Sequence, residues 1–478
     1  MNEKDIYISP FQERYASKEM QYLFSANKKF STFRKLWIAL AESEKELGLT
    51  QITDEMISEM KQHIYDINYD KAEEYEFKFR HDVMAHIHAY GDQCPKAAGI
   101  IHLGATSCFV GDNTDIIVMK EALELLKKKL VNVISILSKF AIKYKELPTL
   151  SYTHLQPAQP TTVGKRACLW LQDFVMDLED LEYLSNSLKL LGSKGTTGTQ
   201  ASFVELFGNK EDPKKLDELI AKKMGFDACY PVSGQTYTRK VDARIYSVLA
   251  GIATSATKFT NDLRFLQHLK EIEEPFEANQ VGSSAMPYKR NPMRSERIAS
   301  ISRYVIANQN NPYMTASSQW LERTLDDSAN KRIVMSEGFL AIDGALDLLI
   351  NVTDGLVVNT KVIEKNLNNE LPFMITENIL MDKVKEGGDR QELHEEIRKL
   401  SLEAGYRIKQ EGLDNDLFDR LCSSKKLNIS KDKQKEYFDP KKYIGRAKQQ
   451  VEEFISNKVN PILEKNKDLL GIKVSITK

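Results

Sequence analysis

Residues 282–292, GSSAMPYKRNP, combine residue types that acid–base chemistry on an anion needs. Gly282 gives the backbone freedom, the serines after it expose hydroxyl groups, and Lys289 and Arg290 supply positive charge. Pro292 favours the first turn of a helix, and a helix N-terminus beside cations stabilises anions. This setting predicts an anion site in which a serine hydroxyl has a pKa low enough to act as a base. On local physics alone, an ordinary Ser/Pro-rich turn that caps a helix accounts for the same residues equally well.

Long amphipathic helices are the elements that must position this stretch. After Asn113, apolar residues recur three or four positions apart. This spacing predicts a helix of about 35 residues that Asp112 or Asn113 caps and that ends before Pro148. Further long helices are predicted at 163–191, at 238–270, from Pro292 onwards and at 328–349. Because strand-like alternation is scarce throughout, the fold class is predicted to be all-α.

Polar loops, most of them with glycine, are predicted at the ends of these helices, where catalytic groups are often found. Their sequences are HLGATSCFVGD, THLQPAQPTT, GSKGTTGTQ, VSGQTYTRK and VGSSAMPYKRNP. The chain has 478 residues, which is long for one core. Shorter and more charged helices flank the long ones, so three helical domains are expected: an N-terminal one at 1–106, a central one at 107–358 and a C-terminal one at 359–478.

Charge and cysteine usage disfavour several function classes. Lys plus Arg (67) and Asp plus Glu (68) nearly cancel without long single-sign blocks, so neither nucleic acid nor a membrane surface is expected as a partner. The 5 cysteines are scattered and form no C-x-x-C pair, which indicates reduced thiols and no zinc site. The charged N-terminus lacks the apolar core of a signal peptide, and no stretch approaches the roughly 20 apolar residues of a membrane span. A cytoplasmic location is therefore expected.

Three ordered motifs connect the chain to a known family. GSSAMPYKRNP matches the pattern G-S-S-x-M-P-x-K-x-N of the fumarase/aspartase superfamily at every fixed position. HLGATS at 102–107 and THLQPAQ at 153–159 resemble the other two motifs of that superfamily. RYAS, RHDVMAHIH, KGTTGTQASF, GQTYTRK and QWLERTLDDSANKR further resemble its animal-type branch that acts on succinylated purine nucleotides. This resemblance runs from Arg14 to the C-terminal helices.

The resemblance implies a reaction and an assembly. The reaction is the anti β-elimination of fumarate from adenylosuccinate, giving AMP, and from succinylaminoimidazole carboxamide ribotide, giving AICAR, without a metal or another cofactor. The assembly is a homotetramer in which four central bundles of five long helices form a 20-helix core. Each active site is shared by three subunits, with the regions around His81, His154 and Ser283 contributed by different chains. Long helices that bury apolar faces against partners fit this assembly.

The resemblance also implies the acid and the base. His154 is implied to be the general acid that protonates the departing purine nitrogen. Glu296 is implied to orient the imidazole, and a nearby carboxylate also raises the pKa of a histidine. Ser283 is implied to be the general base that removes the proton beside the succinyl carboxylate. Ser284 remains an alternative base, because the residues alone do not separate the two serines.

Further contacts to the reacting part of the substrate are implied. His81 is implied to contact the substrate, and Lys289 and Asn291 to stabilise the doubly negative intermediate. His86 and His88 are predicted to be structural, because their spacing from His81 does not suit a metal pair on one helix face. Hydrogen bonds to the succinyl carboxylates are implied for Thr106, Ser107, Thr153 and Gln235. Thr197 and Gly198 are implied to approach the substrate with their backbone.

The nucleotide end of the substrate has its own implied contacts. The residues that resemble phosphate ligands are Arg323, Ser328 and Arg332, with Arg14 and Tyr15 as a further contact. Arginine forks suit phosphate oxygens, and a serine at a helix start adds a donor. Asp82 is implied to contact the purine, and Arg80 and Arg297 complete the predicted substrate-binding set.

Two alternative functions remain open from the sequence. One is another lyase of the superfamily, such as argininosuccinate lyase or a cycloisomerase, whose substrates carry no nucleotide phosphate. The predicted phosphate ligands disfavour this alternative. The other is a non-enzymatic structural protein on the same scaffold, as certain lens crystallins are. The intact motifs around His154 and Ser283 disfavour that alternative.

Overall fold

The computed structural model describes residues 5–277, 280–282, 284–474 and 476. Helix makes up 67% of the structure, which confirms the predicted all-α class. Within the part of the chain that the structure describes, none of the helices combines the length and the apolar character that crossing a bilayer requires.

Short and medium helices come before the first long helix. They are α1 (Lys18–Leu23), α2 (Ala26–Glu46), α3 (Asp54–Gln62), α4 (Tyr69–Phe79) and α5 (Asp82–Gln93), and a π-helical turn (Phe11–Tyr15) precedes them. Each of α1 to α5 begins after a side chain that accepts a backbone N–H of the first turn, which satisfies one otherwise unpaired donor. The capping residues are Ser17, Ser25, Thr53, Asn68 and His81.

The central part of the chain contains five long helices that pack on one another. Its helices are α6 (Ser107–Lys143), α7 (Val163–Ser187), α8 (Ala201–Phe207), α9 (Asp212–Lys223), α10 (Lys240–His268), α11 (Met293–Ala307), α12 (Asn310–Ser317) and α13 (Asp327–Asp354). Helix α10 packs on α7, α11 and α13, while α6 packs on α7 and α13. The main hydrophobic core lies between these helices and α2, around fully buried side chains such as Trp37, Trp170 and Phe339.

The C-terminal part consists of shorter helices. They are α14 (Thr360–Met374), α15 (Thr376–Lys385), α16 (Arg390–Gln410), α17 (Leu417–Ser423), α18 (Lys431–Tyr437), α19 (Ala447–Phe454) and α20 (Asn460–Lys465). Apolar residues between Leu371 and Tyr437 form a second, separate core. Helix α19 packs back on α7, and Val451 belongs to the main core. The domain boundaries at 106 and 358 stay a prediction.

Two short antiparallel strand pairings accompany the helices, and one of them was not predicted from the sequence. THLQPAQPTT, predicted as a loop, forms most of an antiparallel pair of strands, β1 (Pro148–Thr153) and β2 (Gln156–Thr162). The remaining strands are β3 (Ile272–Glu273) and β4 (Val357–Val358). The prolines of β2 hide its strand character, because proline is depleted in strands and confined to edge positions.

Two predicted helix boundaries were also wrong. Helix α6 begins at Ser107, and Asp112 and Asn113 lie within it instead of capping it. Both residues are buried because they make tertiary contacts: Asn113 exchanges hydrogen bonds with the backbone of Gly192, 3.0 Å and 3.2 Å long. Helix α7 ends at Ser187 instead of near residue 191, because the chain turns extended and the backbone N–H of Leu190 bonds to residue 228.

Candidate active site

A cavity of about 790 Å³ lies beside α2, the α4–α5 turn, the first turns of α6 and the start of α13. Eight of the predicted site residues line it: Arg80, His81, Asp82, Ser107, Gln235, Arg323, Ser328 and Arg332. The structure therefore gathers part of the predicted purine, succinyl and phosphate contacts around one cavity. Thr106, at the N-cap position of α6, is the immediate neighbour of this group.

The α4–α5 turn presents His81 to the cavity. The Nδ1 atom of His81 accepts the backbone N–H of Met84 at 3.2 Å, because His81 caps α5. A neutral ring with this arrangement carries its proton on Nε2, which lies 3.3 Å from the Oγ atom of Ser107. The preceding residue, Arg80, has a left-handed backbone with φ of 56°, which is strained for a residue other than glycine. Strained backbone of this kind often occurs at functional sites.

A chain of alternating charges leads from the buried interior to the cavity. The buried guanidinium of Arg239 donates to both carboxylate oxygens of Asp112, at 3.0 Å and 3.1 Å, and its Nε donates to Asp327 at 2.5 Å. Asp327 in turn accepts a hydrogen bond of 2.9 Å from Arg323, one of the predicted phosphate ligands. Burial alone would raise the pKa of Asp327, but Arg239 and Arg323 outweigh burial and lower it. Arg323, the last residue of this series of charges, thus presents a cation of fixed orientation to the cavity.

The sequence analysis did not identify Arg239, Asp112 or Asp327 as parts of the site. Arg239 and Asp327 lie within the motifs GQTYTRK and ERTLDDSANKR, so motif membership was an available signal. Lys331, in the same second motif, also lines the cavity and bonds to Asp115 at 2.6 Å.

His154 lies at the tip of the β1–β2 hairpin and does not line this cavity. Thr153 pairs with Gln156, so His154 and Leu155 form a two-residue turn. Their φ angles of 54° and 56° are those of a type I′ turn, which normally contains asparagine and glycine. Thr153, His154 and Leu155 are exposed, and among the described residues no hydrogen bond or ion pair joins His154 to Glu296.

In the signature loop, which is the motif GSSAMPYKRNP at 282–292, Gly282 lies close to Asn291 and Lys289. The Nδ2 atom of Asn291 donates to the carbonyl oxygen of Gly282 at 2.7 Å. A Cβ on Gly282 would lie 2.0 Å from the carbonyl oxygen of Lys289, so only glycine fits there. The side chain of Lys289 is exposed. Ser283 lies outside the described residues, so its role as the base, and the choice between it and Ser284, stay predictions.

The N-terminus of α11 corrects the prediction of an anion site there. The carboxylate of Glu274 accepts the backbone N–H groups of Arg294 and Ser295, at 3.0 Å and 2.9 Å, and the Ser295 hydroxyl at 2.8 Å. Glu274 is only 3% exposed. A carboxylate of the protein itself therefore already occupies this helix N-terminus, which is unavailable to a substrate anion.

The remaining predicted residues lie together elsewhere. The guanidinium of Arg297 lies 5.8 Å from the ring of Tyr15, and Arg14 precedes Tyr15 in the same turn. The carbonyl of Tyr15 lies against Gly344 of α13. Residues 328 and 344 of that helix are about 24 Å apart at 1.5 Å per residue. Within a single chain, Arg14 and Tyr15 are therefore too far from Ser328 to contact the same phosphate.

The two histidines within α5, which were predicted to be structural, pack against aromatic rings. His86 stacks on Phe30 with 3.5 Å between ring centroids, and burial lowers the pKa of His86 to about 4. His88 packs against both Tyr75 and Phe79, with ring centroids 5.3 Å and 4.8 Å away. Both side chains therefore have structural contacts.

Family models identify the class of this protein, and solved structures share its fold. The model described as Lyase matches residues 9–307, and the model described as Adenylosuccinate lyase C-terminus matches residues 372–454. The 3-carboxy-cis,cis-muconate lactonizing enzyme of Pseudomonas putida superposes with a TM-score of 0.81 at 20% identity, covering 94% of this chain and 99% of that one. A fumarate lyase of Mesorhizobium sp. BNC1 gives 0.78 at 21% identity, covering 95% and 100%. At such identity these two likenesses concern the fold alone.

The fold and the site together define an enzyme, a lyase of the fumarase/aspartase superfamily. The adenylosuccinate lyase of Saccharomyces cerevisiae is 51% identical over 97% of this chain and 97% of its own length. Those of Schizosaccharomyces pombe and Schistosoma mansoni are 50% and 48% identical, over 98% and 100% of both chains. The chain belongs to the adenylosuccinate lyase family.

Proposed function

We propose that the protein eliminates fumarate from succinylated purine nucleotides, converting adenylosuccinate to AMP and succinylaminoimidazole carboxamide ribotide to AICAR. The names of the relatives support the first substrate. The observation that carries the proposal is the shared cavity. His81, Ser107 and Gln235 line it together with the predicted phosphate ligands, which are Arg323, Ser328 and Arg332. Its volume of about 790 Å³ suits a nucleotide-sized ligand.

The proposed chemistry breaks one carbon–nitrogen bond and moves two protons. Ser283 takes the proton from the carbon beside the succinyl carboxylate, and Lys289 and Asn291 stabilise the resulting dianion. As the bond breaks, His154, oriented by Glu296, gives a proton to the purine nitrogen. The electron pair of the broken C–H bond forms the double bond of fumarate. No cofactor takes part in the proposed steps.

The proposed assembly is a homotetramer in which three subunits complete each site. Within one chain the predicted residues form three separate groups: the cavity group around His81, the hairpin tip with His154, and the pair of Tyr15 and Arg297. A single chain does not bring these groups together, which supports their convergence between subunits.

Exposed apolar side chains on a long helix also support the tetramer. Leu169, Met176 and Tyr183 follow one another at intervals of seven residues along α7 and are 46%, 55% and 71% exposed. An apolar stripe of this kind on a bundle helix favours burial against another subunit.

We also propose a cytoplasmic location, three domains with the boundaries given above, and no nucleic-acid or membrane partner.

The direct test is an ultraviolet assay of the purified protein with adenylosuccinate. Wild type is expected to release AMP and fumarate, while His154→Ala and Ser283→Ala are each expected to lose at least about 100-fold in kcat, the usual contribution of a general acid or base. His394→Ala, which changes an exposed histidine of α16, is the matched control and should retain wild-type activity. Activity that survives Ser283→Ala but not Ser284→Ala would assign the base to Ser284. A wild-type tetramer that is inactive on adenylosuccinate but cleaves argininosuccinate would contradict the proposed substrate.

A further inference from the structure

The segment from Ser9 to Ser17, which carries Arg14 and Tyr15, lies along α13. The Oγ atom of Ser9 donates to the Oε2 atom of Glu337 at 2.9 Å. The rest of the segment contains a single π-helical turn of 5 residues, at whose end the Ala16 N–H bonds back to residue 11 and the Ala16 carbonyl accepts the Gln21 side-chain amide at 2.9 Å. One isolated turn has no stability of its own in water, so tertiary contacts set its position: Phe11 packs on Tyr304 of α11, and further contacts are with α13.

Asp343 of α13 is the first of these contacts and is fully buried. Its Oδ2 atom accepts a hydrogen bond from the backbone N–H of Ser17 at 2.6 Å. Its Oδ1 atom accepts one from the Nζ atom of Lys129 at 2.5 Å. Lys129, on α6, also pairs with Asp347 at 2.7 Å. Because both oxygens of Asp343 are engaged, its carboxylate has one orientation, which fixes the end of the segment.

Gly344, the next residue, is the second contact. A Cβ at this position would lie 2.7 Å from the carbonyl oxygen of Tyr15, 2.8 Å from its carbonyl carbon and 2.9 Å from its Cβ. Two of these are backbone atoms, which cannot rotate away as a flexible side chain can. The absence of a side chain at Gly344 therefore lets the backbone of Tyr15 approach α13 this closely.

We propose that Asp343 and Gly344 are positioning residues that seat the N-terminal segment, so that Arg14 and Tyr15 are preorganised for the nucleotide phosphate. The two residues contact the backbone of the segment and not the substrate, so they act through Arg14 and Tyr15. Arg14 is exposed, and the ring of Tyr15 faces the guanidinium of Arg297. A displaced segment would have to be ordered again on binding, which weakens affinity without changing the chemical step. This inference rests on the proposed function.

The test uses Gly344→Ala, which adds one methyl group within a helix, with Gly405→Ala as the matched control. Gly405 is also helical, and a Cβ there meets nothing within 4 Å. For Gly344→Ala, the KM for adenylosuccinate and the inhibition constant of AMP are expected to rise roughly tenfold, the loss expected for one charge-assisted contact. The kcat at saturation should stay within about twofold of wild type, since the chemical groups are unchanged. Gly405→Ala should leave all three constants unchanged.

A double-mutant cycle separates positioning from a general structural effect. If Gly344 acts through Arg14, then Arg14→Ala raises KM in the wild-type background but adds little in the Gly344→Ala background. Asp343→Asn provides the second variant and should raise KM in the same way. Fully additive effects, a wild-type KM for Gly344→Ala, or lower kcat and tetramer content at unchanged KM would each overturn the inference. Wild type that fails to cleave adenylosuccinate would instead contradict the proposed function.

Discussion

Buried ionisable residues in this protein differ in whether their charge is compensated. Arg239 has Asp112 and Asp327 as partners, and this compensation keeps the buried guanidinium charged next to the cavity. Glu44 on α2 is also fully buried, but among the described residues neither of its carboxylate oxygens has a hydrogen-bond partner. Burial raises the pKa of Glu44 to about 9, so this carboxyl group is neutral in the folded protein at neutral pH.

The Glu44 carboxyl group should make stability fall as pH rises. Its pKa is about 9 in the folded state, whereas the ordinary pKa of a solvated glutamate is 4.5, so between these pH values unfolding releases a proton. From pH 6 to pH 8 this group should lower the free energy of unfolding by roughly 3 kcal/mol. Glu44→Gln removes the titration, so the melting temperature of the variant should rise relative to wild type between pH 6 and pH 8. If the difference in melting temperature between Glu44→Gln and wild type were the same at pH 6 and pH 8, this explanation would be contradicted.

Helices α6 and α7 come into backbone contact where α7 begins. A Cβ on Gly164 would lie 2.3 Å from the carbonyl oxygen of Ala141 and 2.7 Å from the Cα atom of Lys145. The backbone N–H of Gly164 bonds to the carbonyl of Tyr144 at 2.9 Å. Glycine thus allows the backbones of the two helices to touch just after the hairpin that carries His154.

Gly164→Ala should destabilise this helix pair. Overpacking against backbone atoms costs about 1–3 kcal/mol, which exceeds the gain of at most about 1 kcal/mol from the better helix propensity of alanine. Thermal unfolding should therefore show a lower melting temperature for Gly164→Ala, and an unchanged or higher one for the control Gly405→Ala. If the two variants shifted in the same direction, the close approach would not matter to stability.

The long helices were predictable because each repeats an apolar pattern over many residues. The β1–β2 hairpin was missed because its strands are short and contain prolines, and the start of α6 because its buried polar residues resemble caps. In the site, residues within contiguous motifs were predictable and contacts between distant segments were not. Arg239 and Asp112 are 127 residues apart, and Ser17 and Asp343 are 326 apart. Only the tertiary fold determines such pairs.

At the scale of the whole molecule, the separation of the predicted residues into three groups has a measurable consequence. If each site takes His154 from one chain and Ser283 from another, a mixed tetramer of two inactive variants contains some sites with both residues intact. Random assortment of equal amounts leaves each of the two residues intact in half of the sites, so about a quarter of the sites are complete.

Mixing His154→Ala with Ser283→Ala, after dissociation and reassembly, should therefore restore about a quarter of the wild-type specific activity. The measurement is the adenylosuccinate assay on the reassembled tetramer. Each variant taken alone through the same procedure is the control and should stay inactive. A mixture that also stays inactive would place both residues of a site on one chain.

The rigidity of α13 has a consequence for how the length of this chain can vary. This helix carries Ser328 near one end and contacts Tyr15 at Gly344, so one continuous run of helix separates the two groups that we propose to bind phosphate. Inserting or deleting a single residue between them would turn one group by about 100° around the helix axis relative to the other and shift it by about 1.5 Å. Surface loops can absorb such changes during evolution, whereas the stretch of α13 from 328 to 344 has to keep its number of residues.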